Sequence, residues 1–275
     1  MILMSECEME PEHVAQEQAH GKQTPQAQAY AEQTSHEHAA HEQTQREQAP
    51  MEQEAPAKSV LNQAQSEQIK IILASSSPRR KELLERAGVS FRIMSLDVDE
   101  YLEPDDLRSP NEACKKLAER KAKAVVEELL CNESIIGPHA VIGADTMVVN
   151  NDEIYGKPKT DEHALQMLLA LQGKTHEVVT AVSVWLFNVG EDDEISLGFR
   201  TFSDVSKVTF KSASKEELYD YVLCKEGCDK AGAYAAQGRG GEFIERIDGS
   251  LDTVIGLPVS RLLREFPYLE NGCLQ

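Results

Sequence analysis

The sequence predicts an α/β fold that follows a disordered N-terminal tail. An uninterrupted apolar run at 71–74 passes directly into a helical pattern, which indicates a buried strand followed by a helix. A second strongly apolar run covers 141–149, and a hairpin pattern covers 175–211, with further helical patterns between these strands. Strands that alternate with helices in this way are typical of a sheet flanked by helices.

Residues 1–66 are the predicted tail, and residues 67–275 are the predicted domain. The tail is rich in Gln, Glu, Ala and His, and it repeats every ten residues, as the Gln-Thr pairs at 23–24, 33–34 and 43–44 show. It has few large apolar residues, so it cannot bury enough apolar surface to offset the entropy of ordering the chain. We therefore expect the functional residues in 67–275.

Charge and hydropathy narrow the possible functions. The chain has 275 residues and a formal net charge of −19, which argues against nucleic acid as a partner, because duplex binding needs many Lys and Arg contacts to phosphate. No apolar run reaches the length of about 18 residues that indicates a membrane span, and the N-terminus lacks a secretory pattern. We expect no membrane association and a cytoplasmic location. A small phosphorylated ligand is compatible with the acidity, because charges beyond about 8 Å are largely screened.

The segment 70–80 predicts an anion site. After the apolar strand come three serines, Pro78, Arg79 and Arg80, and the helix then continues to Gly88. Pro is favoured in the first turn of a helix, where free backbone N–H groups and the helix dipole attract anions. The hydroxyl groups and the two guanidinium groups add donors suited to a polyphosphate. In a disordered chain the sequence Ser-Pro-Arg-Arg would instead indicate a kinase or targeting motif, but the apolar strand before it favours phosphate binding.

The next elements bring acidic and basic residues. A second strand is predicted over 91–96 and leads to the acidic residues at 97, 99 and 100. A helix from Pro110 to about 130 begins with a capping-box pattern and carries several lysines and an arginine in its middle. Within the apolar run 141–149, Asp145 interrupts the strand with a carboxylate, and a central strand rarely buries a carboxylate without a functional reason.

The remaining elements follow from turn and capping signals. A hairpin turn at 150–152 leads into Gly156 and Lys157, and Thr160 caps a helix over 161–171. After the long hairpin, a second capping box opens a helix over 214–224, and a glycine-rich segment covers 229–241. A strand over 243–247 and a final helix after 256–258 complete the domain.

In order along the chain, six motifs resemble those of the Maf-type nucleoside triphosphate pyrophosphatases. They are Ala-Ser-Ser-Ser-Pro-Arg-Arg at 74–80, Leu-Ala-Glu-Arg-Lys-Ala at 117–122, Gly-Ala-Asp-Thr at 143–146, Gly-Lys-Pro at 156–158, Asp-Lys-Ala-Gly-Ala-Tyr at 229–234 with Gln-Gly at 237–238, and Gly-Leu-Pro at 256–258. The resemblance covers about residues 69–268. It implies a two-lobed mixed β-sheet flanked by helices, similar to the inosine triphosphate pyrophosphatases, with the substrate between the lobes. It also implies a homodimer.

The resemblance assigns roles to individual residues. A nucleoside triphosphate is hydrolysed to the monophosphate and pyrophosphate, with a divalent cation (Mg²⁺ or Mn²⁺) as cofactor. Asp145 is implied as the base that takes a proton from the attacking water, and Glu100 and Asp145 as the metal ligands. The residues implied to bind the triphosphate are Ser75, Arg79, Arg80, Lys121 and Lys157.

Three positions point to the base of the nucleotide. Subgroup members that prefer dTTP and UTP resemble this chain in Arg79, Thr146 and Gln237. The amide of Gln237 offers both a donor and an acceptor to a pyrimidine edge. Two alternatives stay open: another base preference, such as 7-methyl-GTP, CTP or modified nucleotides, and a catalytically silent nucleotide-binding regulatory module. Ala236 stands where a larger aliphatic residue is common, which would widen the base pocket.

Overall fold

The structure is a computed structural model that describes residues 68–132, 135–192 and 194–271. They form one seven-stranded mixed sheet flanked by helices, as the sequence predicts. The strands are β1 (Lys70–Leu73), β2 (Arg92–Ile93), β3 (Gly137–Asn150), β4 (Glu153–Tyr155), β5 (Thr175–Val189), β6 (Ile195–Phe210) and β7 (Ile244–Asp248). The helices are α1 (Pro78–Arg86), α2 (Pro110–Asn132), α3 (Asp161–Leu171), α4 (Lys215–Leu223), α5 (Leu251–Ile255), α6 (Val259–Glu265) and α7 (Tyr268–Asn271). The predicted tail, 1–66, lies outside the described residues.

The sheet is ordered β2-β1-β3-β5-β6-β7, with β4 also paired to β3. β1 is parallel to β2 and β3, whereas the other neighbours are antiparallel. The two predicted hairpins are both present. The tight turn between β3 and β4 places Asn151 and Asp152 at φ of 52° and 63°, which are values that short hairpin turns require.

Helices cover the two faces of the sheet differently. Along one face, α2 packs over β1, β3 and β5, and buries side chains such as Val125 and Leu129 against Val141 and Phe187. The opposite face carries two separate apolar clusters, one under α1 and α6 and the other under α3 and α4. A cavity borders both clusters, with Ile255 of the first and Val148 and Val254 of the second in its lining. In the part of the chain that the structure describes, no helix is both long and apolar enough to cross a membrane.

The second strand is much shorter than predicted. The sequence indicates a strand over 91–96, but only Arg92 and Ile93 pair with β1. The physical reason is that β1 itself ends at Leu73, whose carbonyl accepts a last hydrogen bond from Met94 N–H. Residues 95 and 96 therefore have no ladder to join, and they line the cavity instead.

Candidate active site

A cavity of about 640 Å³ opens where the middle of β3 lies beyond the end of β1. Ile142 is the last β3 residue paired with β1, and Val148 is the first paired with β4. Between them, among the described residues, this edge of β3 has no neighbouring strand. Asp145 and Thr146 point to opposite faces of the strand, yet both line the cavity, because the uncovered edge opens to both faces. The volume is in the usual range for a small-molecule site.

One wall of the cavity is the loop between β1 and α1, where the sequence predicts an anion site. Ser75 is buried, and its Oγ accepts hydrogen bonds from Arg80 Nη1 at 3.0 Å and from the backbone N–H of Ser77 at 3.3 Å. Both lone pairs of the hydroxyl are therefore used, and its O–H is left to donate. A phosphate oxygen, which only accepts, matches that remaining donor.

Arg80 is held by acceptors from three separate parts of the chain. Besides Ser75, its Nε donates to the carbonyl of Gly256 at 2.8 Å, and its Nη2 donates to Thr146 Oγ1 at 3.1 Å. Burial lowers the pKa of Arg80, and the negative charge of Asp145 partly offsets this effect. Each Nη atom keeps a second N–H that these contacts do not use. The guanidinium is thus fixed in place and still able to bind an anion.

Arg79 and Lys157 also line the cavity, but they differ from Arg80 in having no fixed contacts. Within the described residues, neither side chain makes a hydrogen bond or a salt bridge. Burial lowers the pKa of Arg79, and Asp229 opposes this shift. Both cations are therefore available to a ligand. Gln237 is half-buried and is not among the described residues that line the cavity, although its glycine-rich segment reaches the cavity through Asp229, Lys230 and Tyr234.

The opposite wall is an ion-paired cluster of one lysine and two carboxylates. Lys121 Nζ on α2 lies 2.6 Å from Asp145 Oδ1 and 2.7 Å from Glu100 Oε1. Burial would lower the pKa of Lys121, but the two carboxylates outweigh it and the pKa is raised. Burial would likewise raise the pKa of Glu100, but the hydrogen bond and charge of Lys121 outweigh it, so the pKa is lowered. Lys121 and Glu100 are thus held in their charged forms.

This cluster can also supply part of a divalent-cation site. Lys121 uses one oxygen of each carboxylate, which leaves the second oxygen of Glu100 for another ligand, and the second oxygen of Asp145 has only a long contact of 4.0 Å from Cys114 Sγ. Among the described residues, no group of three or more His, Cys, Asp or Glu side chains could hold a metal. A Mg²⁺ site commonly has only one or two protein carboxylates, with the rest of the shell from water and substrate phosphates. Two carboxylates beside an anion loop fit that pattern.

Close packing of α2 on β3 brings Lys121 to Asp145. A Cβ at Gly143 would lie 2.4 Å from the carbonyl oxygen of Ala118 and 2.7 Å from the backbone N of Ala122. Only glycine permits this approach. One helical turn before Ala118 on α2, the buried thiol of Cys114 donates to the carbonyl oxygen of Asp145 at 3.3 Å. Burial, together with the charge of Asp145, raises the pKa of Cys114, so the thiol keeps its proton.

Several residues at or behind the site were not predicted from the sequence. Cys114 is one, and the carbonyl of Gly256 is another. A third is Thr180, a fully buried threonine on β5 whose hydroxyl contacts Thr146. The signal that could have found Thr180 is the one that found Asp145, namely a polar residue in the middle of an apolar central strand.

The fold and the site define an α/β protein with a cavity in which the fixed guanidinium of Arg80 lies opposite a lysine and two carboxylates, an arrangement that suits a phosphorylated ligand. Residues 70–267 match the family model described as Maf-like protein. The chain belongs to this family.

Similar proteins match 71–72% of this chain. A dTTP/UTP pyrophosphatase of Geobacillus sp. (strain WCH70) is 45% identical over 200 residues, which are 72% of this chain and 97% of that protein. One from Bacillus cereus (strain AH820) is 45% identical over 196 residues, which are 71% and 93% of the two chains. A solved nucleoside-triphosphatase / dITP/XTP pyrophosphatase from Mycobacterium abscessus covers 72% of this chain and 94% of that one, with 16% identity and a TM-score of 0.30.

Proposed function

We propose that this chain hydrolyses nucleoside triphosphates, with dTTP and UTP preferred, to the nucleoside monophosphate and pyrophosphate. The observation that carries the proposal is the cavity in which Lys121, Glu100 and Asp145 face the loop of Ser75 and Arg80. One wall suits a triphosphate, and the other offers a carboxylate to a water molecule. The names of the similar bacterial proteins support the same reaction and the same two substrates.

Each residue has a task in this reaction. Arg79, Arg80, Lys157 and the Ser75 hydroxyl bind the phosphate chain and place the α-phosphorus near Asp145. Asp145 accepts a proton from the attacking water while the oxygen of that water bonds to the α-phosphorus. The bond from the α-phosphorus to the bridging oxygen breaks, and pyrophosphate leaves with that oxygen. The cationic side chains stabilise the negative charge that develops on it.

A divalent cation belongs to the proposal as cofactor. Glu100 and Asp145 would hold it, and when bound it supplies Lewis-acid stabilisation of the phosphate oxygens. Lys121 contacts both carboxylates and so holds them next to each other. It also remains close enough to the substrate side to contact a phosphate oxygen.

Base selectivity is the finer part of the proposal. Arg79 lies at the cavity with its guanidinium unpaired by the described residues, which suits contact with a nucleotide. The Thr146 hydroxyl contacts Arg80 and Thr180, so its influence on the base would be indirect. A role for Gln237 at the base requires the glycine-rich segment to approach the ligand when the ligand binds.

The experiment is pyrophosphate release from dTTP, UTP, CTP, 7-methyl-GTP and ITP, with Mg²⁺ or Mn²⁺, for the wild type and Asp145→Asn. We expect release from dTTP and UTP, and a loss of at least about 100-fold in Asp145→Asn, because removing a general base typically costs this much. Circular dichroism is the folding control. Nucleotide binding without turnover in the wild type would contradict the proposal and favour a regulatory module. Preferential cleavage of another nucleotide would overturn only the base assignment.

A homodimer and a cytoplasmic location belong to the same proposal. Light scattering of the purified chain tests the first, and fractionation of the source cells tests the second.

A further inference from the structure

A buried threonine on β5 connects the anion-binding arginine to the core of the protein. Thr180 pairs with Thr146 across β3 and β5, and their hydroxyl oxygens lie 3.0 Å apart. Its side chain is fully buried, and Thr180 is not among the described residues that line the cavity. Its side-chain contact with a residue of the cavity lining is the one with Thr146.

The direction of the hydrogen bonds in this chain follows from the acceptor at its end. Thr180 Oγ1 lies 2.7 Å from the carbonyl oxygen of Thr253, which can only accept. The single hydroxyl hydrogen of Thr180 is therefore used there, and Thr146 must donate to Thr180. The Thr146 oxygen is then left with lone pairs only, and one of them accepts from Arg80 Nη2 at 3.1 Å. The series therefore runs in one direction: Arg80 donates to Thr146, Thr146 donates to Thr180, and Thr180 donates to the carbonyl of Thr253.

The Thr253 carbonyl, at which this series of hydrogen bonds ends, has no donor within α5 because the helix is short. The last carbonyls of a helix lack intrahelical donors, and Leu257 N–H donates to Asp252 rather than to Thr253. Thr253 is itself held in place, because its hydroxyl donates to Asp204 Oδ2 at 2.6 Å. Just beyond α5, the carbonyl of Gly256 accepts from Arg80 Nε. The same end of α5 therefore anchors Arg80 directly and also through the two threonines.

We propose that Thr180 is a positioning residue for Arg80. By accepting from Thr146, it fixes the Thr146 hydroxyl with its lone pairs toward Arg80, and the guanidinium then presents its remaining N–H groups to the phosphate chain. This inference rests on the proposed function and deepens it. We therefore expect loss of the Thr180 hydroxyl to weaken binding of the phosphate chain, and to do so equally for nucleotides with different bases.

The first test compares kcat/KM for dTTP and for UTP in the wild type, Thr180→Val and Thr180→Ser. Valine has nearly the same shape as threonine without the hydroxyl, and serine restores the hydroxyl. We expect Thr180→Val to lower kcat/KM on the order of tenfold for both nucleotides, because the Thr146 hydroxyl is then no longer oriented to accept from Arg80, and a hydrogen bond to a charged group is worth this much. Thr180→Ser is expected to stay within about twofold of the wild type.

The matched control is Thr201→Val, which removes a hydroxyl from the same sheet at a site outside the cavity lining. Thr201 Oγ1 donates to Ser183 Oγ at 2.9 Å, so the control loses one internal hydrogen bond, whereas Thr180→Val loses two. A purely structural role of Thr180 would give both valine variants wild-type kcat/KM at temperatures well below their melting points. Should Thr180→Val fail to fold, Thr180→Ala takes its place.

A double-mutant cycle with Thr146→Val tests the route. If Thr180 acts only through Thr146, Thr180→Val has no further effect in the Thr146→Val background. Additive losses would overturn the inference, as would an effect confined to one nucleotide or a failure of Thr180→Ser to restore kcat/KM.

A binding measurement separates this inference from the proposed function. Calorimetric titration with inorganic tripolyphosphate needs no turnover, and we expect Thr180→Val to weaken its binding on the order of tenfold. A wild type that cleaves no nucleotide would defeat the proposed function, and the tripolyphosphate affinities would still decide the role of Thr180. Equal affinities in the wild type and Thr180→Val would overturn the inference.

Discussion

Gly143→Ala is the substitution that best tests how α2 positions the site. The added methyl group would lie 2.4 Å from the carbonyl oxygen of Ala118, and an ordinary contact needs about 3.5 Å. Both this atom and the N of Ala122, at 2.7 Å, belong to the backbone and cannot rotate away. The helix must therefore move outward by about 1 Å.

Two effects on stability oppose each other in this variant. Overpacking a core contact costs about 1–3 kcal/mol. Replacing glycine reduces the entropy of the unfolded chain and returns about 0.4–1 kcal/mol. Overpacking is the larger effect, so we expect a net loss of about 1–2 kcal/mol in the free energy of unfolding.

The effect on activity is expected to exceed the effect on stability. Lys121 neighbours Ala122 on α2, and its 2.6 Å contact to Asp145 would lengthen as the helix moves. A misplacement of about 1 Å at a catalytic group can cost about 100-fold, so we expect kcat/KM to fall by that order. Urea unfolding and steady-state kinetics measure the two quantities. The control for stability is Gly156→Ala, whose added Cβ would meet no atom within 4 Å. Gly143→Ala with the stability and kcat/KM of the wild type would refute the reasoning.

Two further predictions concern stability. Tyr221→Phe removes the hydroxyl that accepts from Ala235 N–H at 3.0 Å, and leaving this buried donor unpaired should cost about 1–3 kcal/mol in urea unfolding, whereas an unchanged midpoint would show that water replaces the hydroxyl. Burial lowers the pKa of His176 to about 4, so the unfolded chain, with a His pKa of about 6.5, binds more protons between these values. His176 should therefore contribute a loss of up to about 3 kcal/mol as the pH falls from about 6.5 to about 4. The difference between the wild type and His176→Phe across this range measures that loss, and parallel pH profiles would contradict the prediction.

Local sequence signals determined the order and type of most elements. The capping pattern at Ser214 and Glu217 forms as predicted at the start of α4, and Thr160 accepts from His163 N–H at the start of α3. These predictions succeed because a cap depends on residues within one helical turn. The strand over 91–96 was predicted too long because its length depends on a partner strand, and the sequence does not show where β1 ends.

The residues of the site were also predicted only in part. Motifs singled out Ser75, Arg80, Lys121 and Asp145, and the structure places all of them at one cavity. It also places Gln237 away from the described lining, which no local pattern indicates.

What the sequence alone determined is the succession of elements and the chemical types of residue at their ends. Only the tertiary structure decided that Lys121 bridges Glu100 and Asp145, and that Thr146 stands opposite Thr180. The first depends on how closely α2 packs on Gly143, and the second on the register between β3 and β5. Both are set by contacts between residues far apart in the chain. In the strand pair, a shift of one residue in register would turn the side chains of the shifted strand to the opposite face of the sheet.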